Sequence, residues 1–363
     1  MSKKLFFSLL TMLSCIASMM AQPAADSTTT ATSGFTFGIF GDVYYLYDFN
    51  EPKDRERPGF VYAHSRHNEI TLNNVVVSGK YSHTKVRANL GIHTGTYIQR
   101  NYAAEVINDS EVLKYIYEAN AGVRLAKGLW LDAGIFPSHI GFESALSIDN
   151  PTLTRSLMAE NTPYYETGAK LTYDLNDQWT FSALVLNGWQ RIVETDNNKA
   201  VGTQIVFKPA EGILLNSSSF VGKEGTNRIF HNFYATFDLI DKVTLITAFD
   251  IGWQQKLNDA GDKDGYQTWW NPNIIVKYKP IDQFALAGRL EYYHDPHGSV
   301  ITTQTDHGFQ TWSPSLNVDY YPIANVALRL EGRYYQAKDP VFVKNEKATK
   351  TDALVITSLA FKF

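Results

Sequence analysis

Apolar and polar residues alternate along most of this chain. In residues 86–93, Val86, Ala88, Leu90 and Ile92 fall on one face, and Arg87, Asn89, Gly91 and His93 on the other. In 326–335, Val326, Leu328, Leu330 and Tyr334 oppose Arg329, Glu331, Arg333 and Tyr335. In 115–125, Tyr117, Ala119, Ala121, Val123 and Leu125 oppose Glu118, Asn120, Gly122 and Arg124. A period of two marks a strand with two unlike faces. About sixteen such segments can be placed, starting near 34, 68, 84, 113, 129, 163, 179, 200, 213, 229, 243, 266, 283, 309, 325 and 351.

The connections alternate as well. Every second one is tight: Tyr81-Ser82-His83, Ala126-Lys127-Gly128, Asn176-Asp177-Gln178, Pro209-Ala210-Glu211-Gly212, Asp241-Lys242, Pro280-Ile281-Asp282 and Pro322-Ile323-Ala324. The others are longer, polar or glycine-rich: 48–67, 98–112, 137–162, 190–199, 223–228, 257–265, 295–308 and 337–350. Short turns on one side and long loops on the other are the habit of an outer-membrane barrel, as is an even strand count. Lipid offers no hydrogen-bond partners, so strands that cross it must all be paired and the sheet must close. Arg and Glu at alternate positions would each cost a few kcal/mol if they faced lipid at the midplane. They must face a wet interior. The expected fold is all-β: a transmembrane antiparallel up-and-down β-barrel of about sixteen strands over residues 34–363. After residue 21 no stretch is apolar enough for a transmembrane helix.

Residues 1–21, MSKKLFFSLLTMLSCIASMMA, have a basic start at Lys3 and Lys4, an uncharged apolar run from Leu5 to Met20, and a small residue, Ala21, at a plausible cleavage point. This is the pattern of a secretory signal peptide. The apolar run is short for a membrane span, and Met12-Leu13-Ser14 before Cys15 is a poor lipoprotein motif. Residues 22–33, QPAADSTTTATS, read as a flexible lead-in. Cleavage removes Cys15, the single cysteine, so the mature chain can form neither a disulfide framework nor a cysteine metal site. It also removes Lys3 and Lys4, which leaves 31 basic against 37 acidic residues, a net charge of −6. That mild acidity is not the profile of a nucleic-acid binder. The 13% aromatic content suits rings at two water–lipid boundaries. The last strand places Val355, Thr357, Leu359, Phe361 and Phe363 on one face. Its final aromatics, Phe361 and Phe363, resemble the β-signal read by the barrel-assembly machinery.

The segment 134–191 carries an ordered set of motifs: Gly134-Ile135-Phe136, Ile140-Gly141-Phe142-Glu143, Asp149-Asn150, Thr154-Arg155-Ser156, Pro163-Tyr164, Gly168 and Asn187-Gly188-Trp189. This run resembles the OmpL-like β-barrel porin family of Gram-negative bacteria; outside it, the match is one of barrel patterning alone. The resemblance implies a pore-forming protein of the outer membrane and no particular substrate.

A long loop in a general porin can fold into the lumen, and 137–162 is the candidate here. Glu143, Asp149 and Arg155 would then be charged groups of a selectivity eyelet, or would fix the loop to the wall by salt bridges and caps. The inward charges Arg87, Glu118, Arg124, Glu166, Lys170, Arg289, Glu291, Arg329, Glu331 and Arg333 are the pore-lining candidates. Their mixed signs point to non-specific passage of small hydrophilic solutes over a dedicated ion channel, and a cross-strand salt-bridge lattice is the alternative. Tyr44, Tyr45, Tyr47, Trp179, Trp253, Trp269, Trp270, Tyr320 and Tyr321 lie near strand ends. Facing out they would form interfacial girdles, and facing in some could form a sugar-stacking path. His64 with His67, and His294 with Asp295 and His297, lack a third metal ligand. Asp262-Lys263-Asp264-Gly265 only faintly echoes a calcium loop. No nucleophile elbow, HExxH run or P-loop occurs, so neither catalysis nor a cofactor is expected.

The expected function is passive diffusion of small hydrophilic solutes through a water-filled barrel. The rivals are a channel specific for an oligosaccharide or anionic nutrient, and a plugged structural or adhesive barrel. Expected partners are outer-membrane lipid, the solutes and the assembly machinery. A homo-oligomer is left open.

Overall fold

The structure, a computed structural model, describes residues 33–105 and 111–363. The leader 1–21 with Cys15, and 22–32 of the lead-in, lie outside the described residues. Sixteen strands form one closed antiparallel barrel. They are β1 (Gly34–Asp48), β2 (Ile70–Ser82), β3 (Val86–Thr94), β4 (Ile116–Ala126), β5 (Leu129–Pro137), β6 (Tyr165–Asp174), β7 (Trp179–Leu186), β8 (Ala200–Phe207), β9 (Ile213–Glu224), β10 (Thr226–Ile240), β11 (Val243–Leu257), β12 (Lys263–Ile281), β13 (Phe284–Asp295), β14 (Phe309–Ile323), β15 (Val326–Ala337) and, closing on β1, β18 (Thr351–Lys362). Two short strands, β16 (Phe342–Lys344) and β17 (Lys347–Thr349), form a separate hairpin within the β15–β18 connection. Every expected segment begins within three residues of an observed barrel strand.

The sorting of connections holds with one exception. The tight turns need unusual backbone at few points; Gly128, between β4 and β5, has φ 73° and lies against the Asp174 carbonyl, where a Cβ would clash. The exception is 223–228, expected as a longer loop. β9 and β10 pair as far as Glu224 and Thr226, and Gly225 turns the chain alone with φ 68°. Glycine tolerates that left-handed conformation, so no longer loop is needed.

Closure lies between β1 and β18, where Ile39 and Phe363 exchange two backbone hydrogen bonds of 2.9 and 2.8 Å. Apolar side chains such as Leu290, Leu316, Leu328 and Leu330 are exposed on the outer face, while Arg329, Glu331 and Arg333 between them are buried inside. Rings line both margins of this outer band. On the loop side, Trp270, Tyr292 and Trp312 pack with centroids 5.5 and 4.7 Å apart. On the turn side, Trp179 stacks on Phe207 at 3.9 Å and Phe284 lies 5.0 Å from Tyr320.

Four side chains depart from a simple girdle or face pattern, one of them Tyr321, whose hydroxyl donates inward to Asp319 (3.1 Å). Tyr44 and Trp269 point inward and are 1% and 2% exposed, packed in the apolar cluster that joins loops to wall. They make neither a girdle nor an open stacking path. Tyr117 shares its strand with outward residues, but the register shifts beside Gly91, so Tyr117 and Glu118 together oppose that glycine. Such a bulge re-aims a side chain; the Tyr117 ring packs 5.6 Å from inward-facing His93.

Candidate functional site

The β5–β6 connection, residues 138–164, folds into the lumen as a strap. Its first leg starts at His139. The His139 carbonyl accepts from Gln204 Nε2 of β8 (2.9 Å) and Ser218 Oγ of β9 (2.7 Å). The buried His139 ring lies between Glu166 of β6 (2.9 Å from Nδ1) and the Ser219 carbonyl of β9 (2.9 Å from Nε2). Both partners accept only, so both ring nitrogens donate and the imidazole is cationic. Burial favours the neutral ring, but the facing Glu166 carboxylate outweighs it and holds the His139 pKa above its ordinary value. Farther in, Gly141 N donates to Asn232 Oδ1 of β10 (3.3 Å).

The middle of the strap crosses to the opposite wall. Ser147 Oγ donates to Asp42 of β1 (2.7 Å), which also meets His64 Nε2 (2.8 Å) from the β1–β2 loop. Arg329 of β15 is fixed by Asp319 of β14 (2.7 and 3.0 Å), and its other hydrogens go to the Ser147 and Asn150 carbonyls (2.5 and 3.0 Å). Asp149 sits at an exposed bend, 2.6 Å from Lys362 of β18.

The returning leg, 152–157, carries the densest network. Thr154 donates from N and Oγ1 to Glu331 (2.6 and 2.7 Å). Arg289 of β13 reaches the Thr154 carbonyl (2.7 Å), Thr152 Oγ1 (3.0 Å) and Glu331 (2.9 Å). Arg333 meets the Arg155 carbonyl and Glu291, each at 2.5 Å. Leu157 N donates to Glu291 (2.7 Å), and Ser156 caps the one-turn helix Leu157–Glu160 by accepting from Ala159 N. Glu143 accepts from Ser156 N and Oγ, with Arg289 at 3.9 Å. Burial pushes the Glu143 carboxyl above its ordinary range, and the Arg289 guanidinium pulls it back in part. The Arg155 side chain is buried between the rings of Tyr97 (4.4 Å) and Tyr164 (3.8 Å), which ties the strap to the helix Thr96–Asn101 in the β3–β4 connection.

The candidate residues therefore separate into groups. Arg289, Glu291, Arg329, Glu331 and Arg333 converge with Glu143 on the strap, and their side chains are almost wholly buried. Glu166 holds the strap's base. Arg155 faces the β3–β4 connection and Asp149 the β18 end. Arg87 pairs with Asp132, Glu118 lies 4.0 Å from Lys80, and Lys170 sits 4.9 Å over the Phe136 ring, all on the β2–β6 wall. Arg124 stands apart, exposed near the turn and bonded to the Ala126 and Thr84 carbonyls. His64 and His67 take separate partners, Asp42 and the Asp48 backbone N–H. Sequence reasoning missed His139, Asp42, Asp319 and Thr154. Asp42 and Asp319 are inward acids that the period-two pattern could have flagged; Thr154 lies in the Thr154-Arg155-Ser156 motif but was given no role there, and His139 carries no local signal.

Every barrel strand contributes at least one inward side chain no more than 4% exposed, from Leu46 of β1 and His93 of β3 to Ile356 of β18. Toward the turn side of β2–β8 the inner wall is different: Lys80 is exposed, and Arg87, Asn89, Asn120, Lys170 and Thr172 are half-buried.

This architecture is shared with known outer-membrane proteins. An anion-selective porin from Comamonas acidovorans is 8% identical and superposes with a TM-score of 0.60, over 92% of this chain and 100% of its own. The trimer form of OmpT from Vibrio cholerae is 9% identical, with a TM-score of 0.59 over 92% and 100%. The outer-membrane channel DcaP of Acinetobacter baumannii is 11% identical, with a TM-score of 0.58 over 94% and 100%. At such identities the likeness is one of fold. A comparison with proteins of curated function finds no match. The sequence itself is assigned by a family model: residues 34–363 match the family described as "Putative beta-barrel porin-2, OmpL-like", and the chain belongs to that family of β-barrel porins.

Proposed function

We propose that this porin carries small hydrophilic solutes passively, along the β2–β8 side of a lumen that the 138–164 strap narrows. The observation that carries the reading is the difference between the two walls: toward the turn side of β2–β8, Lys80, Arg87, Asn89, Asn120, Lys170 and Thr172 keep water contact, while the charged groups of β13–β15 are sealed under the strap. The basic Lys80, Arg87 and Lys170 keep water contact on that arc, with the buried acids Glu118 and Asp132 beside them, and this pairing of signs favours weak ion preference. Single-channel recording of the refolded chain in planar bilayers tests this. Stable unitary steps are expected, with liposome swelling that falls steeply as the test sugar grows. Silence from a correctly folded barrel would overturn the reading.

A second reading, a plugged structural or adhesive barrel, has one observation in its favour: all sixteen strands have covered inner side chains. The same recording separates the two. Fold and family are those of a channel, and of outer-membrane proteins. Residues 1–21 are proposed to be removed on export, which N-terminal sequencing of the membrane-inserted protein would check by a start at Gln22. Phe361 and Phe363, 5.9 Å apart, are proposed as the feature read by the assembly machinery. The V. cholerae neighbour was solved as a trimer, and a homo-oligomer is proposed here too, testable by cross-linking in native membranes.

A further inference from the structure

On the loop side, beyond the strap, a vestibule of about 1160 Å³ opens between the β1–β2 loop, residues 300–305 and the β15–β18 connection. Six carboxylates and three basic groups line it. The basic groups are all engaged: Lys53 with Glu346, Arg100 with Glu56, and Arg57 through Nη2 with the Tyr335 hydroxyl at 2.6 Å. The lining thus keeps an excess of negative charge, which concentrates cations and repels anions within a low-dielectric recess.

Two of the acids sit deep. Asp48 and Asp352 are each 2% exposed, on adjacent strands β1 and β18, with Asp48 facing Leu354 and Asp352 two residues away. Asp48 accepts from the Asn50 N–H at 2.8 Å. Asp352 Oδ1 has no hydrogen-bond partner. A buried carboxylate oxygen without a donor is costly, and such orphans mark the place of an absent water or ion. Two carboxyl groups so close and so buried cannot both carry charge cheaply, and a cation set beside them would favour the ionised pair. The sides of the recess are apolar, with Phe60, Val300, Val341 and Phe342. A hydrated inorganic ion would leave those sides unused, and an anion would meet the acids.

We infer that this vestibule is a binding site for small organic cations, with the ammonium group at Asp48 and Asp352 and the carbon body along Phe60 and Val341. The inference deepens the channel reading and rests on it for its purpose, since a solute held at the mouth is one about to pass; the binding itself does not require conduction.

The probes are hexylammonium, its matched anion hexanoate, and ammonium itself. Each is titrated calorimetrically into the refolded full barrel in detergent, and conductance is recorded separately in bilayers. Hexylammonium is expected to bind more tightly than ammonium, and hexanoate not to bind. Asp352→Asn should weaken hexylammonium about tenfold by removing a charge-assisted contact. Val341→Ser should weaken hexylammonium and leave ammonium unchanged. Folding of each variant is checked by heat-modifiable electrophoretic migration. Should Asp352→Asn not fold, Asp48→Asn and the hexylammonium–hexanoate contrast on the unaltered chain decide. Equal binding of cation and anion, or hexylammonium affinity unmoved by loss of either carboxylate, overturns the inference. Binding without conductance upholds the site and removes the channel reading; conductance without binding does the reverse.

Discussion

The β2–β8 wall and the β13–β15 wall carry the same kinds of inward residue, yet they do different things. On β13–β15, Arg289, Glu291, Arg329, Glu331 and Arg333 are wrapped by the strap and by one another, and every one is fixed by at least two partners. On β2–β8, Arg87, Lys80 and Lys170 keep part of their hydration. An inward charge therefore does not by itself line a pore. What decides is whether a second element reaches across to take its hydrogen bonds.

The comparison is broken most thoroughly by excising the strap. Replacing residues 141–156 with a short glycine–serine link should rehydrate the β13–β15 wall and make it resemble β2–β8. Unitary conductance is expected to rise roughly several-fold; an unchanged value would mean the strap does not limit flow. Next in size is Glu331→Ala, which takes from Arg289 its closest carboxylate and leaves the Thr154 N–H and hydroxyl without their acceptor in a dry setting. Removing one partner of such a buried network costs about 3–5 kcal/mol, read as a lower unfolding midpoint in detergent. Arg155→Leu removes the guanidinium between Tyr97 and Tyr164 and should cost about 2 kcal/mol, with noisier current as the strap and the β3–β4 connection part.

The His139 contact sharpens the contrast through pH. Its folded-state pKa lies above the ordinary value, so its contribution is complete below about 6.5 and is lost as pH rises through the folded value. Alkaline buffer should therefore increase flicker in the unaltered protein, and His139→Gln should flicker already at neutral pH. The smallest effect belongs to the hydrated wall. Arg87→Ala breaks a pair in which Arg87 is partly exposed and Asp132 is buried, and should lower stability by about 1 kcal/mol, while shifting reversal potential toward cations.

Much of the barrel was legible along the chain. Strand positions followed from period two, because each strand meets lipid on one side and water or protein on the other. The faces of β3 and β15 followed for the same reason. The strap's pairing did not, because Thr154 and Glu331 are 177 residues apart, and no local pattern joins them. Tyr117 escaped because a bulge of one residue reverses a face without leaving a mark in the alternation. Trp269 and Tyr44 escaped because an aromatic near a strand end reads the same whether it faces lipid or packs under a loop. The 223–228 turn was misjudged because its polar residues look like a loop, while a single glycine suffices to close the hairpin.

The same long separations set an order of events in assembly. The strap is made between β5 and β6, but its main anchors lie on β13–β15, and Arg329 reaches Ser147 across 182 residues. None of those bonds can form until the last third of the chain has inserted. A nascent barrel must therefore carry a loose strap and bare, hydrated charges, and docking comes late because distant contacts are slow to form. The time at which the strap becomes resistant to protease would then report that the wall behind it is complete.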